Sequence, residues 1–229
     1  MKIAINLTRE TIGGITSSNL NLINYLYKLD NEFVGLELTN RIYMKGPVLF
    51  RSFAPEVFDH HIINIHDLPL MDIMKHSQTL KQIEAAYTKA IKIIRAILKE
   101  THPDNVLLSG TYYMPWLISI AAKKEHVPVV LWYSGVLSKE TEHYPEKIRK
   151  LFTLMEKAVI KNSTKIIFPS RLCKKTVETI VLKNRVRNSY VIPNPVASIF
   201  TDPCATNASI ERRIAAVGRY SKIKNFNKF

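Results

Sequence analysis

Short, continuously apolar segments alternate along this chain with longer segments of helical periodicity, and this alternation constrains the fold more than any other feature. The clearest apolar segments are KIAINL (2–7), VLLSG (106–110), VPVVLWYSG (127–135) and TKIIFPS (164–170). Strands that are apolar throughout are typical of sheets buried on both faces, and helices provide the crossovers that parallel strands need. The sequence therefore predicts an α/β protein with a Rossmann-like parallel sheet and helices on both faces.

The same reasoning extends to the weaker segments. Further strands are predicted at 33–38, 60–65, 189–194 and 212–218, and helices at 15–29, 72–100, 114–125, 144–162 and 171–183. Within 72–100, one stripe carries the apolar residues Ile83, Ala86, Ala90, Ile93, Ile94 and Ile97. We interpret this segment as a core-facing helix, with an interfacial membrane helix as the alternative.

Charge is unevenly distributed between the two parts of the chain. Residues 1–138 hold 14 Lys and Arg against 12 Asp and Glu, whereas residues 139–229 hold 19 against 7, giving net charges of +2 and +12. A basic half predicts an anionic partner, such as phosphates, an acidic membrane surface or nucleic acid. A solvated basic surface without a partner is the alternative.

Cysteine and histidine usage predicts a cytosolic protein without a metal. The two cysteines, Cys173 and Cys204, are far apart in the sequence and have no metal-ligand spacing. His60, His61 and His66 have no Cys or carboxylate set at ligand spacing beside them, so we predict neither a metal site nor a cofactor. The amino-terminal segment has too short an apolar run for a signal peptide.

Candidate ligand-binding residues follow the predicted strands, because ligands of parallel sheets bind beyond the carboxyl ends. Gly13 and Gly14 lie between the first strand and the first helix, where glycines allow close backbone approach and a helix amino terminus favours an anion. Arg219 and Lys224 follow the last predicted strand and could bind a diphosphate. A plain tight turn and an ordinary basic surface loop are the alternatives.

A nicotinamide-dependent oxidoreductase is not favoured by the sequence. The glycine pair does not form G-x-G-x-x-G, and Glu37 does not close the second strand, because Leu38 and Thr39 follow it. The aromatic residues are also not interleaved with the basic ones in a nucleic-acid-binding motif. A basic α/β domain that binds nucleic acid or another anion without catalysis remains the alternative to an enzyme.

A helix at 144–162 precedes an ordered series of motifs in the second half of the chain, which consists of Ile166–Ser170, Val191–Val196, Phe200, Gly218-Arg219 and Lys224-Asn225. This series resembles family 4 glycosyltransferases of the GT-B fold. The resemblance implies two Rossmann-like domains with the active site between them. It also implies retaining, metal-independent transfer of a sugar from a UDP- or GDP-sugar to a glycan or lipid-linked acceptor.

The resemblance also implies a domain division and roles for particular residues. Residues 1–196 would form the acceptor-side domain, 197–211 the linker and 212–229 the start of the nucleotide-sugar-binding domain. Gly13, Gly14, Arg219 and Lys224 would bind the donor, and Tyr133, Ser134 and Gly135 would form an acceptor or donor-sugar loop. Ser134 stands where many members have a histidine.

The expected activity and location follow from the same resemblance. The family's two glutamates, eight residues apart, would lie beyond Phe229, so we expect no sugar transfer by these 229 residues alone. Many members modify lipid-linked acceptors in the synthesis of cell-envelope polysaccharides. With the basic second half, this predicts a cytoplasmic protein in peripheral contact with an anionic membrane.

Overall fold

A computed structural model describes residues 1–7, 14–39, 58–65 and 68–194. In this part of the chain one sheet of seven parallel strands has the order β3-β2-β1-β4-β5-β6-β7. The predicted Rossmann-like parallel sheet is therefore confirmed. The strands are β1 (Lys2–Leu7), β2 (Glu32–Thr39), β3 (Phe58–Asn64), β4 (Asn105–Ser109), β5 (Val129–Trp132), β6 (Lys165–Phe168) and β7 (Ser189–Val191).

Helices connect the strands and agree in most places with the sequence pattern. They are α1 (Gly14–Tyr27), α2 (Leu70–His76), α3 (Leu80–Ala86), α4 (Thr88–Thr101), α5 (Tyr113–Lys124), α6 (Leu137–Glu140), α7 (Glu146–Asn162) and α8 (Arg171–Thr176). A π-helical turn, Val177–Leu182, continues α8. The short α6 has no counterpart among the predicted elements, because its four residues are too few to show a helical period.

The prediction of one long helix over 72–100 is wrong, because α2, α3 and α4 divide the segment. A capping box begins α3: the Thr79 hydroxyl accepts from the Gln82 backbone N–H at 3.3 Å, and Gln82 Oε1 accepts from the Thr79 backbone N–H at 3.0 Å. Such reciprocal bonds satisfy donors that the start of a helix leaves unpaired. Tyr87, at φ −94° and ψ 13°, separates α3 from α4.

The apolar stripe of this segment faces the protein core. Ile83, Ala90, Ile94 and Ile97 are buried in the larger hydrophobic cluster, whereas Ile93 is 38% exposed. The four buried side chains are covered by protein and cannot face a lipid surface, so the structure contradicts the alternative of an interfacial membrane helix. No helix in the described ranges is long and apolar enough to cross a membrane.

The two faces of the sheet are covered by different helices. Ile3, Ile5 and Leu7 of β1 point to one face and cluster with Ile23 of α1. Ala4 points to the opposite face, where the larger cluster also contains side chains of α4, α5 and α7. The period-two alternation of a strand sends apolar side chains to both sides, which explains why β1 is apolar throughout.

Candidate functional site at the carboxyl edge of the sheet

The strand order places the candidate site at the junction of β1 and β4. Successive strands run from β1 to β2 and β3 in one direction, and from β4 to β7 in the other. The helices that follow β1 and β4 consequently cover opposite faces of the sheet. A crevice opens beyond the carboxyl ends of two such strands, and ligands of open α/β sheets bind there.

A buried polar cluster of Asn6, Asn19 and Ser109 joins the elements at this junction. The ladder between β1 and β4 pairs Ile3–Ile5 with Asn105–Leu107. Beyond these pairs, the Asn6 side chain makes the hydrogen bonds that the backbone of a neighbouring strand would make. Its Oδ1 accepts from the Ser109 N–H at 2.7 Å, and its Nδ2 donates to the Ser109 carbonyl at 3.3 Å. The Asn6 amide thus bridges the strands where the ladder stops.

Asn19 extends this polar cluster to helix α1. Its Nδ2 donates to the Asn6 carbonyl at 3.2 Å, and its Oδ1 accepts from the Ser109 hydroxyl. Asn6 and Asn19 are only 1% and 2% exposed, so these bonds replace water that the amides would otherwise bind. The cluster ties the first turns of α1 to the floor of the crevice.

The glycines of the first loop are only partly within the described residues. Gly14 is the first residue of α1, as expected if its loop leads into a helix amino terminus, while Gly13 lies outside the described residues. Their role in binding the donor stays a prediction. After β4, Gly110 adopts a φ of 84°, which turns the chain away from the sheet at the crevice.

The loop after β5 contains the three predicted residues Tyr133, Ser134 and Gly135. The Tyr133 side chain is buried, its ring centroid lies 5.2 Å from that of Phe168, and its hydroxyl donates to Glu156. Burial and the nearby Glu156 carboxyl raise the pKa of Tyr133. This side chain therefore points into the core, whereas Ser134 and Gly135 are half-exposed, and the ligand-binding roles of all three residues stay predictions.

The ends of β6 and β7 are held by side chains of the matching motifs. The Ser170 hydroxyl caps α8 by accepting from the Cys173 N–H at 3.1 Å. Asn194 accepts from the Trp132 indole N–H at 3.1 Å, a bond that reaches from the segment after β7 to the end of β5. Ser170 and Asn194 thus shape the same edge of the sheet as the β1/β4 crevice.

Several other predicted residues are placed away from this edge or outside the described ranges. Arg219 and Lys224 lie outside the described residues, so their roles stay predictions. Glu37 is buried within β2 and its Oε2 lies 2.9 Å from His60 Nε2. In the described ranges, His, Cys, Asp and Glu form no cluster of three that could hold a metal ion.

A separate cleft of about 460 Å³ lies among α3, α5 and α7. Its lining includes Leu80, Trp116 and Ile120 together with Lys81, Lys123 and Lys124. No residue that directly follows a strand lines it, so this cleft is separate from the candidate site at the carboxyl edge of the sheet.

Comparison with known families identifies the class of protein. Residues 12–198 match the model of Glycosyltransferase Family 4, and the chain belongs to this family. The resemblance read from the motifs is thereby confirmed. A search of curated protein sequences finds no match.

Solved structures of related fold support the GT-B architecture. UDP-GlcNAc 2-epimerase from Methanocaldococcus jannaschii, in complex with UDP-GlcNAc and UDP, is 19% identical, with a TM-score of 0.55 over 85% of this chain and 47% of that one. The lipopolysaccharide outer core galactosyltransferase WaaB is 16% identical, with a TM-score of 0.57 over 86% and 46%. Phytolacca americana UGT2, complexed with UDP-2-fluoro-glucose and pterostilbene, is 12% identical, with a TM-score of 0.56 over 87% and 55%.

These matches show the fold and the share of it that the chain represents. The chain spans about half the length of the solved structures that it matches. At these identities the likeness concerns the fold, and the ligands named above belong to those proteins.

Sequence reasoning did not identify Asn6, Asn19 or Glu156 as residues that build the site. Asn6 could have been found from the sequence, because it is the one polar side chain between apolar neighbours in KIAINL. Glu156 gave no such signal, since a glutamate among lysines on an amphipathic helix normally faces solvent.

Proposed function

We propose that residues 1–196 are the acceptor-side domain of a retaining glycosyltransferase. It would transfer a sugar from a UDP- or GDP-sugar to a glycan or lipid-linked acceptor, in the cytoplasm and for cell-envelope polysaccharides. The observation that carries this proposal is the family match over residues 12–198, which includes every strand of the sheet after β1. The crevice at the β1/β4 junction is where such a domain would face its ligands.

The proposed chemistry depends on stabilising a departing diphosphate. Negative charge builds up on the leaving phosphate, and fixed cations lower the barrier to its departure. Arg219 and Lys224 would supply those cations, while Gly13 and Gly14 would let the backbone before α1 approach the phosphates. Ser134 and Gly135 would face the transferred sugar or the acceptor. This scheme uses no metal ion and no cofactor.

Turnover of labelled UDP- and GDP-sugars tests this function. We propose that residues 1–229 do not catalyse transfer alone, whereas a longer chain that also contains a complete nucleotide-sugar-binding domain, called the extended chain below, does. The product of the extended chain should keep the anomeric configuration of the donor, which NMR spectroscopy of the product reports. Transfer should persist in EDTA.

An Arg219→Ala variant of the extended chain provides the internal comparison. Loss of one charge-assisted contact to the leaving group should lower kcat about 100- to 1000-fold. Turnover by residues 1–229 alone, or epimerisation of UDP-GlcNAc without transfer to an acceptor, would contradict the proposal.

We also propose peripheral contact with an anionic membrane surface through α8. Leu172 is 74% exposed there, and Arg171, Lys174 and Lys175 lie in the same short helix. An exposed apolar side chain among cations is suited to an acidic lipid surface. Sedimentation with phosphatidylglycerol vesicles should fall with added salt and with Leu172→Ser, whereas phosphatidylcholine vesicles should bind little.

Nucleic-acid binding is the outcome that would favour the second candidate function, a basic domain without catalysis. The net charge of +12 in residues 139–229 is the observation behind it. Strongly salt-dependent binding of a random oligonucleotide, combined with no sugar transfer by the extended chain, would support that candidate instead.

A further inference from the structure

The loop between β5 and α6 is anchored at both ends and open in the middle. At its start, the Tyr133 N–H donates to the Ile167 carbonyl of β6 at 2.8 Å. At its far end, Leu137 is buried and begins α6. Between these points, residues 134–136 are half-exposed at the carboxyl edge of the sheet. The position of this middle part therefore depends on what holds the two ends.

One carboxyl group of α7 holds both ends of the loop. Glu156 Oε1 accepts from the Leu137 N–H at 2.8 Å and also from the Tyr133 hydroxyl, and Oε2 accepts from the Ser138 N–H at 3.0 Å. The three donors occupy both oxygens and flank residues 134–136 in the sequence. A carboxylate can accept all three bonds, because it has lone pairs on both oxygens and no proton to place.

Packing alone does not account for a glutamate at this position. Glu156 is 0% exposed, and its neighbours on the buried face of α7 include the apolar residues Phe152, Met155 and Val159. Burying a carboxylate is costly unless hydrogen bonds compensate, and an apolar side chain would fill the space without that cost. The bonds that compensate here all come from the loop after β5. The Glu156 side chain thus stabilises the loop after β5 rather than the helix that carries it.

We propose that Glu156 is a positioning residue that sets the conformation of the Tyr133–Ser138 loop and so directs Ser134 and Gly135 toward the crevice. Its importance for sugar transfer rests on the proposed function, whereas its effect on the loop does not. Glu156 itself would not touch a ligand, because it lies beneath the loop and is fully covered.

Backbone amide signals in NMR spectra of the 229-residue chain test the effect on the loop. Glu156→Gln keeps the size of the side chain but offers one acceptor oxygen where two are needed. We expect the Leu137 and Ser138 amides to shift and to exchange about ten- to a hundredfold faster with solvent. The matched control is Val159→Ala, at a buried position of the same helix, which should leave both amides close to their wild-type exchange rates.

Tyr133→Phe provides a second test that does not remove the carboxyl group. The Tyr133 hydroxyl shares Oε1 with the Leu137 N–H, whereas the Ser138 N–H bonds to Oε2. Removing the hydroxyl should therefore shift the Leu137 amide more than the Ser138 amide. This variant keeps the test available if Glu156→Gln does not fold, and equal or absent shifts in it would overturn the proposed geometry.

Transfer assays on the extended chain separate this inference from the proposed function. We expect Glu156→Gln to lower kcat about tenfold or more, and Val159→Ala to have little effect. Unchanged loop amides in Glu156→Gln would overturn the positioning role whatever the activity. Changed loop amides together with no transfer by the extended chain without substitutions would uphold the positioning role and overturn only the proposed function.

Discussion

Two buried polar anchors shape the carboxyl edge of this sheet, and they work by different chemistry. At the β1/β4 junction, Asn6, Asn19 and Ser109 pair neutral amides and a hydroxyl. At the end of β5, the Glu156 carboxyl collects three donors of the following loop. Amides both donate and accept, so they can replace the main-chain bonds between diverging strands. A carboxylate only accepts, so it suits the Leu137 and Ser138 N–H groups, which have no partner within the helix because they lie in the first turn of α6.

The largest expected effect is that of removing the charged anchor. Glu156→Ala leaves the buried Leu137 N–H, the buried Tyr133 hydroxyl and the part-buried Ser138 N–H without an acceptor. We expect the free energy of unfolding to fall by about 3–5 kcal/mol, measured by urea denaturation.

Glu146→Ala is the control for that substitution. Glu146 lies on the same helix but is 67% exposed and pairs with Lys150 in solvent. Its removal should change stability little. Equal stability of the two variants would show that the Glu156 carboxyl contributes nothing to the fold.

The neutral anchor should tolerate disruption better. Asn6→Ala removes two bonds to the Ser109 backbone, whereas Glu156→Ala removes three bonds. We expect a loss of about 2 kcal/mol in urea denaturation. Asn31→Ala, which removes bonds to Leu26 and Leu29 outside the crevice, should cost less because water reaches that site. A larger loss of unfolding free energy for Asn6→Ala than for Glu156→Ala would contradict the expectation that the Glu156 anchor contributes more to stability.

Gly110, after β4, and Gly135, after β5, should differ in how much a substitution by alanine lowers the free energy of unfolding in urea denaturation. Gly110 after β4 has a φ of 84°, where a Cβ is strained, so Gly110→Ala should cost about 1–2 kcal/mol. At Gly135 after β5, an added Cβ would meet only the carboxyl end of Glu140, an exposed and flexible side chain. Gly135→Ala should therefore cost no more than about 0.5 kcal/mol. A similar cost at both positions would mean that Glu140 cannot move aside.

The smallest expected effect is a pH dependence that only the charged anchor can produce. Burial raises the pKa of Glu156 above its ordinary value of 4.5, although hydrogen bonds from Tyr133 and Ser138 oppose the shift. The folded state thus holds this proton more tightly than the unfolded state does. The corresponding stability is fully present below pH 4.5 and is lost as pH rises through the folded-state pKa.

Thermal unfolding of the wild type and of Glu156→Gln, followed from about pH 4 to about pH 8, measures this slope. The difference in stability between the two should change with pH, whereas Asn6→Ala should run parallel to the wild type. Neighbouring groups do not interfere, because Tyr133 and Cys173 also have raised pKa values, that of Cys173 reaching about 11. A constant difference between wild type and Glu156→Gln would exclude Glu156 as the source.

The sequence predicted the sheet well because local patterns carry that information. Uniformly apolar strands separated by helical segments indicate a parallel sheet, and the ordered motifs from Ile166 to Asn225 indicated the family. The division of 72–100 was missed although Thr79 and Gln82 form a readable capping box. The continuous apolar stripe concealed it, since one face remains buried across both breaks.

The sequence by itself determined the class of fold, the parallel strands and the family, since all three are expressed by residues close together in the chain. Only the tertiary structure decided which polar residues build the site. Asn6 and Ser109 are separated by 103 positions, and Tyr133 and Glu156 by 23. Whether a glutamate on an amphipathic helix faces water or a loop is set by the packing of that helix on the sheet. No local pattern records that choice, because the same residue types occur on either face.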